Sequence, residues 1–472
     1  MLNQRVILLP AACLSALLAS GCAIGPDYAS PQPPEHAAAH FLSTGNVAAV
    51  APLPDAWWRL YDDPNLDALV QRAFAANTDL RVAEANLEHE RAVLSEVGNA
   101  RFPSTELSAS KFYGNNTSPS GQGLPTPNKQ WTSTGAVVAS WEIDLLGRVR
   151  RSVEAERDNV EAVQAARDAV RVKVAADTTR NYVEACALAE SVTTAHASID
   201  IARQTLGLTQ QQVHAGAASP FDAERAAATL AATEASLPPL EAQRQNALFA
   251  LAALAGSAPS DVPEAAAACT HAPKLAGPIP VDDGAALLKR RPDVREAERK
   301  LAADTARIGV AMGDLYPRIY VNGAINYLRD GSSSASGGPG TPAWTFGVGP
   351  ALTWSFPNIG VARARVKQAK AQTQASLATF DGTVLNALRD VEQALTSLGA
   401  QERRYVSLAQ ADERTSNAYR LANDRYRAGN ISQLELLDAS RDRVAAQAAL
   451  ADSAVSLNAA RVDLFNALGG GW

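Results

Sequence analysis

The chain has 472 residues, 47% of them hydrophobic, and 43 Lys and Arg against 49 Asp and Glu give a formal net charge of −6. No basic run or basic and aromatic stripe offers a track for a phosphate backbone, which argues against a nucleic-acid partner. Beyond the N-terminus no stretch of about 20 apolar residues occurs, which excludes a transmembrane helix from the mature chain.

Arg5 precedes an apolar run from Val6 to Ala19, followed by Ser20, Gly21 and Cys22. A basic residue, a short apolar run and then small residues read as a cleaved secretory signal over 1–21. Leu18-Ala19-Ser20-Gly21-Cys22 resembles a bacterial lipobox, in which the cysteine is acylated and becomes the new N-terminus; Leu18 stands one place further out than usual. We expect a covalent lipid on Cys22, because an exposed free thiol is a liability in an oxidising compartment; ordinary cleavage near Ala19 is the alternative. Ala23 follows, not the Asp that resembles an inner-membrane retention signal, so an outer-membrane destination is favoured. Residues 22–57 then form a lipidated, extended N-terminal segment.

A first structural repeat is expected over 58–260, with a helix, strands near 104–115 and 132–143 around a polar loop, and a long helical hairpin with its tip near Gly216. The Pro- and Ala-rich stretch 261–280 reads as a linker. A second repeat over 281–472 has strands near 318–328 and 343–356 and a hairpin tip near Gly429. Its strands are the clearer: Ile319, Val321, Ile325 and Tyr327 alternate with polar residues, as do Trp344, Phe346, Val348, Leu352, Trp354 and Phe356 with polar or small ones. Period-two alternation gives one apolar and one polar or small face. Along the helices, Val384, Leu388, Val391, Leu395 and Leu398 make a 4,3,4,3 seam, and Leu434, Leu437, Arg441, Val444, Ala448, Ala451 and Val455 continue it after Gly429. Cys186 and Cys269 lie outside any CxxC or paired-histidine pattern, so neither a metal site nor a disulfide framework is indicated.

The repeats rest on a constant offset. Trp141, Gly147 and Arg150 match Trp354, Gly360 and Arg363, and Gly216 and Ser219 match Gly429 and Ser432, all 213 residues apart. Asp79-Leu80-Arg81 matches Asp293-Val294-Arg295 at 214. Strands of about 10 residues are long enough to cross a bilayer core when tilted. Four per chain cannot close a barrel, and an open edge in lipid leaves backbone groups unsatisfied, so the chain must oligomerise.

These motifs resemble the outer-membrane factor family of the TolC and OprM type, in its NodT-like lipoprotein branch. The likeness rests on Cys22 with Gly25-Pro26-Asp27-Tyr28, Trp58 with Asp63-Pro64 and Leu66, and Trp141-Glu142-Ile143-Asp144-Leu145-Leu146-Gly147-Arg148. It extends to Arg291-Pro292-Asp293-Val294 with Ala297-Glu298, to Gly349-Pro350, and to Arg425-Tyr426 with Gly429, Leu436, Leu437, Asp438 and Ala439. The resemblance implies an α+β membrane protein, a homotrimer whose twelve-stranded outer-membrane β-barrel continues into a long helical periplasmic barrel. It also implies the partners: a periplasmic adaptor and a proton-driven inner-membrane transporter.

No HExxH, GxSxG, Walker or dinucleotide motif occurs, and the six histidines are scattered, so no enzyme and no cofactor beyond the Cys22 lipid are expected. The expected function is a passive exit duct for small molecules such as drugs; the alternatives are a type I protein-secretion duct and a non-conducting helical scaffold. Adaptor contact is placed at the hairpin tips, Gly216, Ala217 and Ser219 with Gly429, Asn430 and Ser432. A periplasmic gate is placed at Glu435 and Asp438, three apart on one helix face. The resemblance adds Asp222 and Tyr426 to that gate; Ile431 stands where related ducts carry Arg, leaving Arg427 as a substitute base.

Overall fold

Ten α-helices, one short 3-10 helix over Trp57–Tyr61 and six strands occur among the residues that the computed structural model describes, which are 23–32, 37, 39–44, 48–115, 129–330 and 343–470. In chain order they are β1 (Ala48–Val50), α1 (Pro64–Ala76), α2 (Thr78–Asn99), β2 (Ser104–Asn115), β3 (Lys129–Ile143), α3 (Arg148–His214), α4 (Pro220–Glu234), α5 (Leu237–Leu254) and α6 (Glu264–Ala267). There follow β4 (Ile279–Val281), α7 (Gly284–Arg290), α8 (Pro292–Gly313), β5 (Arg318–Asp330), β6 (Ala343–Thr353), α9 (Gly360–Arg427) and α10 (Gln433–Ala467). Cys22 and the signal segment lie outside the described residues. The chain forms two compact units, each drawing on both halves: residues up to 31 with 88–162 and 297–379, and residues 32–87 with 163–296 and 380–472.

The first unit carries an antiparallel sheet in the order β2-β3-β5-β6. Its register follows from the alternation, because a slip of one residue would turn every apolar side chain to the wrong face. Leu107 stands opposite Val137, Val137 opposite Ile325 and Ile325 opposite Phe346, so one apolar row crosses all four strands. Rows of Trp141, Val321 and Pro350 and of Ala109, Gly135, Tyr327 and Trp344 flank it on the same face. The other face carries Ser108, Ala136, Asn326 and Thr345. Among the described residues nothing covers the apolar row: Leu107 is 78% exposed and Phe346 89%. β2 and β6 are the edges, and their outer backbone groups have no strand partner among the described residues. The last strand ends at Thr353, short of the expected 356, because Thr353 pairs with Arg318 and the preceding Pro317 has no N–H to extend the ladder.

Beneath the sheet the first turns of α3 and α9 and the later turns of α8 present small buried residues, among them Ala155, Ala162, Ala302, Ala303, Ala306 and Ala362. Gly147, at φ +77°, makes the turn into α3, and Asp144 caps that helix by accepting from the amides of Val149 and Arg150 at 3.1 and 2.8 Å. The buried Asp304 accepts from the Ser376 hydroxyl at 2.6 Å, joining α8 to α9.

The second unit has the larger apolar core. Trp57 stacks on Phe465 at 4.3 Å and donates its indole N–H to the Gly470 carbonyl at 3.2 Å. Asp63 caps α1 through the amides of Asn65 and Leu66 and accepts the Tyr182 hydroxyl at 2.8 Å, which explains its place in the motif. The first seam packs inward, with Val384, Val391, Leu395 and Leu398 buried. The second is corrected in part: Leu437 is buried, but Arg441 and Ala448 are exposed, and the buried positions run on through Ser440, Ser453, Leu457, Ala460 and Leu464. The return helix of the first hairpin is broken between α4 and α5, where Pro238 and Pro239 follow, whereas α10 runs unbroken.

Residues 261–280 are more than a linker. They contain α6, lead into β4, which pairs in parallel with β1, and carry Cys269, which forms a disulfide with Cys186 on α3 across 83 residues. The sequence left open whether these two cysteines pair with each other, and the structure joins them. A contact between a buried helix position and a distant loop leaves no mark in cysteine spacing.

Candidate functional site

The two hairpin tips are built on one plan. Gly216 and Gly429 adopt φ +71° and +74°, conformations that side chains disfavour, and each closes its helix. The amides of Ala217 and Asn430 reach back to the carbonyls of Gln212 and Arg425 at 2.8 and 2.9 Å. Three residues beyond each glycine a serine opens the next helix in a reciprocal capping box, Ser219 with Asp222 and Ser432 with Glu435. The Asp222 carboxylate takes the Ser219 hydroxyl at 2.7 Å, and Glu435 takes the Ser432 amide and hydroxyl at 2.8 and 3.0 Å. The hydroxyl bond from Ser219 holds the Asp222 carboxyl below the usual range, and the backbone bond from Ser432 does the same for Glu435.

The chain therefore directs the expected gate acids to different partners. Glu435 folds back on its own cap, and Asp438 lies 3.8 Å from the guanidinium of Arg225 on α4. Asp222 faces Ser219, while the Tyr426 hydroxyl meets Gln212 at 2.5 Å and Gln433 at 3.3 Å. Gln433 also bonds Thr209. Arg225, Gln212, Gln433 and Thr209 escaped the sequence reading. Arg225 was within reach, since it stands 213 residues before Asp438 at the equivalent place.

The segment that follows Cys22 is seated in the first unit. The Asp27 carboxylate meets the buried guanidinium of Arg151 at 2.5 Å, and the Ile24 amide donates to the Leu146 carbonyl at 3.0 Å. Glu298 accepts from Tyr28 and Ser30 at 3.1 and 2.9 Å, and Arg299 lies over the Tyr28 ring at 5.6 Å. Burial, then the Glu298 charge, pushes the Tyr28 phenol up to about 12. Gly25, at φ +103°, approaches Gly309 so closely that a Cβ there would lie 2.5 Å from the Gly309 Cα. Asp158, beside Arg299 at 3.7 Å, is pushed up to about 6 because burial outweighs the attraction of that guanidinium.

Other motif residues hold the scaffold. Glu142 and Arg148 pair through two bonds of 3.0 and 2.6 Å, and Arg291 grips Asp293 at 2.9 and 2.6 Å while donating to the Ala467 carbonyl at 3.1 Å. Among the described residues no three His, Cys, Asp or Glu side chains gather as a metal site, and no helix is long and apolar enough to cross a membrane.

Comparison with known proteins agrees with this arrangement. The family model described as "Outer membrane efflux protein" matches residues 69–257 and again 285–470. Nodulation protein T of Rhizobium leguminosarum bv. trifolii is 30% identical over 439 residues, 92% of this chain and 91% of that protein. The probable efflux pump outer membrane protein TtgC of Pseudomonas putida is 29% identical over 97% of this chain and 94% of its own length. Among solved structures, the outer-membrane channel OprN superposes with a TM-score of 0.84 at 34% identity, covering 96% of this chain and all of that one. The open-state MtrE outer membrane channel of Neisseria gonorrhoeae gives 0.80 at 27%, covering 95% and 98%. With the family model matching most of the chain in two consecutive stretches, this protein belongs to the outer membrane efflux protein family.

Proposed function

We propose that the chain is the outer-membrane channel of a tripartite efflux system, a passive exit duct for small molecules, and not an enzyme. The observation that carries this reading is the uncovered apolar row Leu107, Val137, Ile325 and Phe346 on a sheet whose two edges are unpaired. Such a sheet suits lipid on one face and, with further copies on its edges, closes into a barrel. Three chains would supply twelve strands. A periplasmic adaptor would engage the tips at Gly216, Ala217, Ser219, Gly429, Asn430 and Ser432, and a proton-driven inner-membrane transporter would load the duct. Glu435, Asp438, Asp222 and Tyr426 would line its periplasmic mouth, where three copies bring acids together and favour cations. A lipid on Cys22 would tether the seated segment Ala23–Pro31; incorporation of labelled palmitate into the wild type and not into Cys22→Ala is the expected result, and label persisting in the variant removes the anchor.

Purified protein reconstituted into a planar bilayer tests the main reading. Discrete, uniform current steps are expected. A protein that forms a stable oligomer and passes no current is a scaffold.

A further inference from the structure

Where β6 ends at Thr353 the first unit has a half-open cavity of about 510 Å³, lined among others by Tyr316, Arg318, Trp354, Phe356, Asn358 and Arg365. Trp354 and Phe356 stack at 4.7 Å on its rim, and the Trp354 indole N–H is held by the Leu315 carbonyl at 3.2 Å. Inside, the single carboxylate of Asp314 is shared by two guanidiniums, Arg318 and Arg365, the latter at 2.9 Å, so the cavity keeps an excess of positive charge.

The two repeats differ here. At the end of β3, Glu142 neutralises Arg148 and Asp144 caps α3, and Glu154, Glu156, Asp158 and Glu161 follow along that helix. The positions 213 residues later are Ser355, Pro357, Lys367, Ala369, Ala371 and Gln374, so every one of these carboxylates is gone. From Gly360 to Phe380 the chain has Arg363, Arg365, Lys367 and Lys370 and no acid. Arg363, Lys367 and Lys370 fall at i, i+4 and i+7 on one exposed stripe, while Ala362, Thr373 and Ser376 turn inward, the last two bonding to Asp304.

We propose that this cavity binds the phosphate headgroup of an anionic phospholipid in the periplasmic leaflet of the outer membrane, while the basic stripe, on the face of α9 opposite Arg365, takes no part. The inference rests on the outer-membrane reading, which sets Trp354 and Phe356 at headgroup depth, where interfacial aromatics lie. The two guanidiniums take the phosphate, and the aromatic rim meets the glycerol and upper acyl carbons.

The test is to reconstitute the purified protein in vesicles of phosphatidylcholine mixed with phosphatidylglycerol, record channel activity, and count co-purifying lipids by native mass spectrometry. Wild type is expected to retain phosphatidylglycerol preferentially. Arg365→Gln, which leaves Arg318 on Asp314, should lower that preference roughly fivefold, with channel activity unchanged. Arg363→Gln with Lys367→Gln and Lys370→Gln, on the opposite face of α9, should leave it unchanged. Channel activity without any lipid preference overturns the site alone, whereas failure to insert or conduct overturns the membrane reading and the site with it. Displacement of the retained lipid by inorganic phosphate at the same concentration for every variant would assign a free-anion site and overturn the lipid assignment. An equal loss of preference in the triple variant would assign the effect to general surface charge and overturn the cavity site.

Discussion

At Glu435 charge and capping can be separated, because Gln accepts the same bonds from the Ser432 amide and hydroxyl. Glu435→Gln with Asp438→Asn therefore removes two charges while keeping α10 capped. The lost Asp438–Arg225 pair, at 3.8 Å with Asp438 exposed, costs no more than about 1 kcal/mol. In single-channel recordings we expect weaker cation preference and weaker block by multivalent cations at undiminished oligomer yield; unchanged selectivity takes these acids out of the constriction. Asp158 makes a prediction about pH. Its folded value of about 6 lies above its ordinary 3.8, so the native state holds the proton more tightly. The stability it contributes is full below about pH 4 and is lost as pH rises through about 6, a loss of up to about 3 kcal/mol. Asp158→Asn should then raise the melting temperature at pH 7 and 8 and leave it unchanged at pH 4, with Arg299 still held by Glu161 and Glu298 at 3.4 and 3.1 Å. A wild-type and variant difference that does not vary with pH would contradict the assignment.

For the elements, legibility followed periodicity. Ile319 to Tyr327 and Trp344 to Leu352 announced β5 and β6 because one apolar face repeats every second residue, and the inward seam from Val384 to Leu398 was visible for the same reason. The seam on α10 misled, since Arg441 and Ala448 keep heptad spacing while the burying face is set by which neighbours α10 meets. The three-residue strands β1 and β4 are too short to show a period, and their pairing joins residues more than 200 apart. The tip glycines and the pattern of Ser followed three residues later by Asp or Glu were readable; Gln212, which meets Tyr426, was not, because it comes from the other hairpin, and Arg225 could be reached only through the repeat offset. The disulfide belongs to this scale too. It closes a loop of 83 residues, and constraining the unfolded chain by that much contributes about 2–5 kcal/mol. Cys186→Ala with Cys269→Ala should lower the unfolding midpoint accordingly without altering conductance. A variant as stable as wild type would make the bridge incidental.

The whole molecule is tested by Val137, which sits in the middle of the apolar row and is 45% exposed. Were the sheet washed by water, Val137→Arg would change stability by less than about 0.5 kcal/mol. Facing the middle of a bilayer, the same change costs about 2–4 kcal/mol, once in every copy. We expect the variant to lose heat-stable oligomer on gels and outer-membrane yield, with the change to Thr tolerated. An Arg variant that assembles normally would return the sheet to water.

The seat of the N-terminal segment also sets an order of events. Asp27 finds Arg151 124 residues later, and Tyr28 finds Glu298 270 residues later. A chain exported from its N-terminus delivers Ala23–Pro31 first and these partners long afterwards. Until the second repeat emerges, then, this end lacks its full dock, and any acyl chain joined at Cys22 would go on while the residues beside it are still loose. Folding at this end waits on the second repeat, and the strap is among the last contacts to close.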